Sequence, residues 1–281
     1  MTITLTNFLS ELNKQIDDDI SSTTTANGNA GGTTAVDSSL SKYPDNYFGD
    51  PNRDPEWWFY SGTTLKPIKD FVSNTGTIVL YSAFGSQVAS STAYSIHRYD
   101  RDKKKAAINS ALYDAYPYFY KRVEDNTTLD GKGASDNQYT ISSTMGFTDF
   151  PDQIWKQHTG DTTTLFTRTL ITDYTYEYIG GAWNFYANIS TSDDIYLVGK
   201  TYLSQLSTDA GTTELDTQQA RCVALKAAEI LYSRMANTVN ATDAGRYEAL
   251  ASRFRSLWDR DKEIYRMPVL ATKLDFGWMD E

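Results

Sequence analysis

The stretch from Leu215 to Met267 constrains this chain most, because apolar residues recur there at helical spacing on both sides of one short break. Asp216 followed by Gln219 is a capping-box pattern, in which each side chain satisfies a free backbone group at a helix start. Ala220, Val223, Ala224, Ala227, Ala228, Leu231, Met235 and Val239 then fall three or four residues apart and line one face. Asn240 to Gly245 collects turn formers and predicts the break. A second stripe runs through Tyr247, Leu250, Ala251, Phe254, Leu257, Trp258, Ile264 and Tyr265, with Arg253, Arg255, Arg260 and Lys262 mostly off it. Small residues on the first helix permit close approach, and bulky residues on the second fill against them. A short connection makes the two antiparallel neighbours, and Pro268 ends the regular structure.

Upstream, Leu5, Phe8, Leu9, Leu12, Ile16 and Ile20 mark an amphipathic helix within residues 4–20. Its end, Asp17 to Asp19, reads as a solvated, fraying terminus or, less simply, as a place for a cation. Ser21 to Thr34 is rich in Thr, Ser, Asn and Gly, so it is either a mobile linker or a run of edge hairpins. Without apolar anchors, Ser21 to Gly32 is expected to be protease-sensitive or ordered only by a partner. From Thr33 to Ile96 the texture is β, with strands at Thr33–Val36, Trp57–Tyr60, Lys66–Val72, Thr77–Tyr81 and Ala93–Ile96, which predicts a small antiparallel sheet or barrel. Arg101 to Lys105 opens a helix whose stripe is Ala107, Ile108, Ala111, Leu112, Ala115 and Tyr116, and its cations are expected to be solvated. Strands return at Tyr139–Ile141, Ile154–Trp155, Thr164–Ile171, Thr175–Ile179, Trp183–Ile189 and Asp194–Val198. Strands grouped between helices, rather than alternating with them, indicate an α+β chain.

The expected organisation follows from this. Residues 1–20 form an N-terminal helix, 21–100 a β domain, and 101–137 a helix and loop. Residues 138–213 are a β-rich insertion, 214–266 the helix hairpin, and 267–281 an extended tail. The hairpin and the central helix are expected to form a helical bundle.

Composition excludes several functions. A net charge of −10 argues against a protein that grips nucleic acid, which needs clustered Lys and Arg, although acidic walls suit a conduit that DNA passes without sticking. Cys222 is the one cysteine, and His97 and His158 are the two histidines, so neither a disulfide framework nor a His- or Cys-rich metal site is expected. Gly131-Lys-Gly133 lacks the length and the Lys-Thr/Ser ending of a phosphate loop. No nucleophile elbow, zinc-protease, EF-hand or dinucleotide motif is present, so no catalytic, cofactor or metal residues are assigned and no enzymatic activity is expected. No apolar run reaches the length of a membrane span, and no signal peptide is read at the start. Trp57, Trp58 and Trp183 are either sheet core or sugar-stacking faces, and core is the simpler reading. Twenty tyrosines fit either β structure or surfaces buried only on assembly.

Two regions resemble a known family. Ala106-Ala-Ile-Asn109-Ser-Ala-Leu112 followed by Tyr116-Pro117 looks like the corresponding helix of head-to-tail connector (adaptor, neck) proteins of tailed bacteriophages. Leu215-Asp216, Ala227-Ala-Glu-Ile-Leu-Tyr232 and the second helix with a loose tail match as well, as does the pattern from Thr33 through Leu40, Ser61-Gly62, Thr75 to Ile78, and Tyr94 to Ile96. The resemblance spans about residues 33–120 and 214–281; the middle is similar only in being β-rich, and the N-terminal 100 residues exceed the smallest members.

It implies a homo-oligomeric ring, commonly a dodecamer, under the portal protein, made in the host cytoplasm and placed at the neck of the virion. Such a ring joins tail or neck proteins, lines a DNA channel without sequence-specific binding, and needs neither cofactor nor membrane. Other readings are a tail, baseplate or capsid-decorating protein, and a carbohydrate-binding module. The tail, with Pro268, Leu270, Leu274, Phe276 and Trp278, either packs back on its own hairpin or docks on the portal or a neighbouring subunit. The resemblance favours docking.

Overall fold

The capping box forms as the spacing requires: the Asp216 carboxylate accepts from the Gln219 amide at 2.8 Å, and the Gln219 side chain accepts from the Asp216 amide at 3.0 Å. These bonds belong to a computed structural model that describes residues 2–133, 137–158, 168–237 and 241–268, with the backbone alone for 241–243. Val239, Asn240, the strand residues expected at 164–167, and the tail beyond Pro268 lie outside the described residues.

In chain order, β1 (Ile3–Thr4) leads into α1 (Leu5–Ile16), and β2 (Ile20–Thr23), β3 (Thr34–Val36), β4 (Trp58–Ser61), β5 (Thr64–Val72), β6 (Thr77–Leu80) and β7 (Ala93–His97) follow. Next come α2 (Arg101–Asp114), β8 (Lys121–Asp125), β9 (Gln138–Ile141), β10 (Gln153–His158) and β11 (Thr169–Leu170). The chain continues with β12 (Thr175–Ile179), β13 (Ala182–Tyr186), β14 (Asp193–Thr201), β15 (Thr212–Thr213), α3 (Thr217–Ala236) and α4 (Ala241–Tyr265). Among the described residues all strand pairings are antiparallel, so the chain is mixed α and β with antiparallel sheets.

The helices share one core. Ala220, Val223, Ala224, Ala227, Ala228 and Leu231 of α3 are fully or almost fully buried, together with Ala107, Ile108, Ala111 and Leu112 of α2 and Phe8 and Leu12 of α1. Alanines on both sides of the α2–α3 contact let the backbones approach closely. Along α3 and α4, Tyr232 stacks on Phe254 at 5.6 Å and Glu229 pairs with Arg255 at 2.8 Å, while Cys222 lies toward Asp261. Burial pushes the Cys222 thiol up to about 12, so it is an inert core residue.

Two expectations for α4 need correction. The helix begins at Ala241, so Gly245 lies inside it rather than in the turn; an added Cβ there would meet nothing within 4 Å. One glycine costs a helix only about 1 kcal/mol, and the rest of the helix outweighs it. Ile264 and Tyr265 are exposed rather than on the buried stripe: at 100° per residue Ile264 falls about 80° round the helix from Phe254, and Tyr265 is the helix's last residue.

Residues 20–97 form a six-stranded sheet in the order β2-β7-β4-β5-β6-β3. It curls until the continuation of one edge, Ala26, bridges Val36 at the other. Phe59, Ile68, Phe71, Ile78, Leu80 and Ile96 fill the interior, and Phe48 plugs it from the Asp45–Glu56 loop. The Ser21–Gly32 expectation is overturned here. Ser21 to Thr23 pair with β7, Thr24 is buried with its hydroxyl on the Ala89 carbonyl at 2.6 Å, and the Gly28 amide donates to Val88 at 2.8 Å. Backbone pairing and buried hydroxyls order the segment where apolar anchors do not. Gly28 is obligatory, since a Cβ there would lie 1.9 Å from the Thr34 carbonyl oxygen.

The second β region has two sheets, β11-β10-β14-β8 and β12-β13-β9, around Tyr139, Ile154, Phe185, Ile195 and Leu197. Strand β8 is a segment the sequence does not announce, because Lys121-Arg-Val-Glu-Asp125 has one apolar residue and pairs at a sheet edge.

If the helical core carries the stability, Leu231→Ala should cost about 2–5 kcal/mol. Urea unfolding should show it, and an unchanged midpoint would contradict this packing.

Candidate functional site

A buried cluster of ionisable groups, Asp18, His97 and Lys104, forms where α1, β7 and α2 converge, beside a cleft of about 220 Å³. Helix α1 stops because Asp17 takes a left-handed conformation, φ 51°, and the next residue turns inward. Asp18 is therefore 3% exposed rather than solvated. One carboxylate oxygen accepts from the Arg98 amide; the other accepts from the Tyr99 amide at 3.0 Å and from Lys104 Nζ at 2.8 Å.

Lys104, 2% exposed, also donates to Asn13 Oδ1 at 2.5 Å. The solvated reading of both the Asp17–Asp19 end and the Arg101–Lys105 turn thus fails at Asp18 and Lys104, each buried by the other. The reason is non-local: the αL turn and the β7–α2 junction bring them together across 86 residues.

His97 completes the network. Its Nδ1 lies 2.7 Å from the Asp18 carbonyl oxygen, which can only accept, and 3.2 Å from Lys104 Nζ, which can only donate; the much shorter contact places the proton on Nδ1. Nε2 is then free to accept from the Ser95 hydroxyl at 2.8 Å. Burial first, and the Lys104 charge second, hold the imidazole below its ordinary range against the opposing Asp18 and Asp19. Burial likewise lowers Lys104, with Asp18 opposing the shift.

Hydroxyl, imidazole and orienting carbonyl stand in the order of a nucleophile, base and positioner. Acyl chemistry also needs donors aimed at a developing oxyanion. The cations at this cleft are engaged elsewhere: Lys104 on Asp18 and Asn13, and Arg101 on Asp209 at 2.5 Å and over the Tyr60 ring. What the arrangement does is fasten three elements. Among the described residues, no group of His, Cys, Asp and Glu is placed to hold a metal ion, and no helix is long and apolar enough to cross a membrane.

Of the residues proposed for docking, Pro268 is exposed, and its carbonyl accepts from the Tyr120 hydroxyl while the Met267 amide donates to Tyr118 at 2.9 Å. Leu270, Leu274, Phe276 and Trp278 lie outside the described residues. Trp57 packs edge-on to Phe48 at 5.4 Å, and Trp183 packs against the core of the second β region with Tyr178 leaning on it at 4.9 Å. Trp58 is half-buried under Lys103. Sequence reasoning missed Asp18, Ser95, His97 and Lys104 as a set. The one local signal is a lysine on the inward face of α2, three residues before Ala107 and four before Ile108.

The histidine gives a pH prediction with a fixed sign. Below its unfolded value of 6.5 the unfolded chain binds a proton that the folded chain does not, so stability falls as pH drops through that window and is unaffected above it. His97→Gln should flatten the loss just below pH 6.5 in unfolding titrations. Equal slopes in both proteins would contradict it.

Compared with known proteins, the chain matches no protein-family model and no curated protein.

Proposed function

We propose that the chain is a structural virion protein, a ring-forming head-to-tail connector that bridges portal and tail and lines the DNA channel. The observation carrying this reading is the role of the α2 residues on which the family resemblance rests. Ala107, Ile108, Ala111 and Leu112 are wholly buried at the centre of the helical layer, and Asn109 exchanges two hydrogen bonds with the Leu206 backbone, at 2.9 and 3.0 Å. The pattern thus falls on residues that join α2 to the segment entering the α3–α4 pair, as an adaptor core of central helix plus helix hairpin requires. On this reading the two β regions are the outward additions, and the tail beyond Pro268 is the docking arm.

Charge agrees with that role. At −10 the chain offers DNA little to bind, which suits a passage rather than a grip. A second reading, a tail, baseplate or decorating component, is favoured by the outer strand β12, where Tyr176, Tyr178 and Ile179 are 56%, 59% and 58% exposed. Imaging the particle that contains the protein decides between them. A symmetric ring of about twelve copies at the neck is expected, on the resemblance and on the closed symmetry of homo-oligomers. Copies on the shell, baseplate or fibres would overturn the connector reading.

A further inference from the structure

A second concavity, about 260 Å³, lies at the turn end of the α3–α4 pair, where the closed sheet and the helices meet. Arg98, Lys103 and Arg246 converge on it beside Trp58, Met235 and Tyr247, with Glu56 the one acid on its rim among the described residues. Among the described residues none of the three cations is in an ion pair; Lys103 lies over the Trp58 ring at 6.0 Å. The groove thus gathers three cations without carboxylate partners around aromatic faces, on a chain of net charge −10. Such a groove fits an extended peptide that carries both acids and aromatic rings.

The chain itself contains one. Residues 269–281 include Asp275, Phe276, Trp278, Asp280 and Glu281, with Lys273 the single cation. They leave the helical layer at Pro268, at the end of α4 opposite Arg246. Returning to the groove of the same subunit would mean retracing about 29 Å along α4. Trp278 is ten residues beyond Pro268, an extended reach of about 33–36 Å, so nearly all of it would be used. The segment would then lie straight along the polar outer face of Arg253, Arg260 and Asp259, with Leu270 and Leu274 left uncovered.

We infer that the acidic, aromatic segment 269–281 of one copy docks in the Arg98–Lys103–Arg246 groove of the next copy. Donor and acceptor occupy opposite ends of the α3–α4 pair, so the contact is heterologous and propagates from copy to copy until a rotation closes it. The inference goes beyond the connector reading and is tested on the purified full-length chain, so the failure of one is distinguishable from the failure of the other.

The test is complementation between two full-length variants. Lys103→Glu with Arg246→Glu changes two exposed side chains and disables the acceptor; Phe276→Ala with Trp278→Ala disables the donor. In sedimentation runs the unmodified chain should self-associate, more weakly as salt rises. Each variant alone should associate at least about tenfold more weakly, and their mixture should form a dimer and stop there. Adding Asp280→Lys and Glu281→Lys to the acceptor variant should restore its self-association by charge exchange. Matched circular dichroism melts of the variants control for folding; an acceptor variant that fails them is replaced by the single change Arg246→Glu, and a donor variant that fails them by Trp278→Ala. A monomeric unmodified chain, a variant that associates as it does, or a mixture that stays monomeric would each overturn the inference.

Discussion

The buried ion pair between Asp18 and Lys104 fixes how the parts of this molecule stand against each other. An unpaired charge in that position would be intolerable, and removing one partner of a buried pair typically costs about 3–5 kcal/mol. The carboxylate is held by the Arg98 and Tyr99 amides, at the point where the last strand of the closed sheet becomes α2. The ammonium comes from the first turns of α2, and the carboxylate's own backbone leads out of α1 into β2. One interaction therefore sets the first helix, the closed sheet and the central helix in register. Because its energy depends on every partner being present, it selects one arrangement rather than several.

The helical layer gains its closeness from small residues. Ala220, Ala224, Ala227 and Ala228 of α3 face α2 and α4, whose Ala107, Ala111 and Ala251 are small in turn, while Phe254, Trp258 and Tyr232 fill what remains. Glu229, also buried, repeats the logic of the clamp with Lys226 at 3.0 Å and Arg255 at 2.8 Å. A rigid layer of this kind leaves the outlying β regions free to carry exposed aromatics such as Tyr178 without unsettling the core. The groove at one end of the layer and the chain's departure at Pro268 from the other are then held at a constant separation.

What was legible in the sequence was what is local. Asp216 and Gln219 announce the start of α3, and the spacing of its alanines announces the buried face. The strands at Thr77–Leu80 and Ala93–His97 follow from β-branched and aromatic residues between turn formers. Contributions made across the chain were not legible. Asp18 reads as one of three solvated acids until the αL turn at Asp17 and the distant Lys104 are brought together. Ser21 to Thr23 reads as part of a linker or of edge hairpins because it lacks apolar residues, yet its backbone pairs with β7, 70 or more residues away. Strand β8 was hidden by its charges. The Ser95–His97 pair was invisible because neither residue has meaning until both lie on one face of β7 over the Asp18 carbonyl.

Amide hydrogen exchange of Lys104→Ala tests the clamp most directly. If the pair couples the three elements, the amides of Ser21–Thr23, Arg98 and Tyr99 should lose protection together, by about 3–5 kcal/mol where the unmodified chain permits that range. The amides of β12 and β13, which share no contact with the pair, should exchange as before. Unchanged protection at Arg98 and Tyr99 would contradict the account and reduce Asp18 and Lys104 to neighbours that merely happen to be buried.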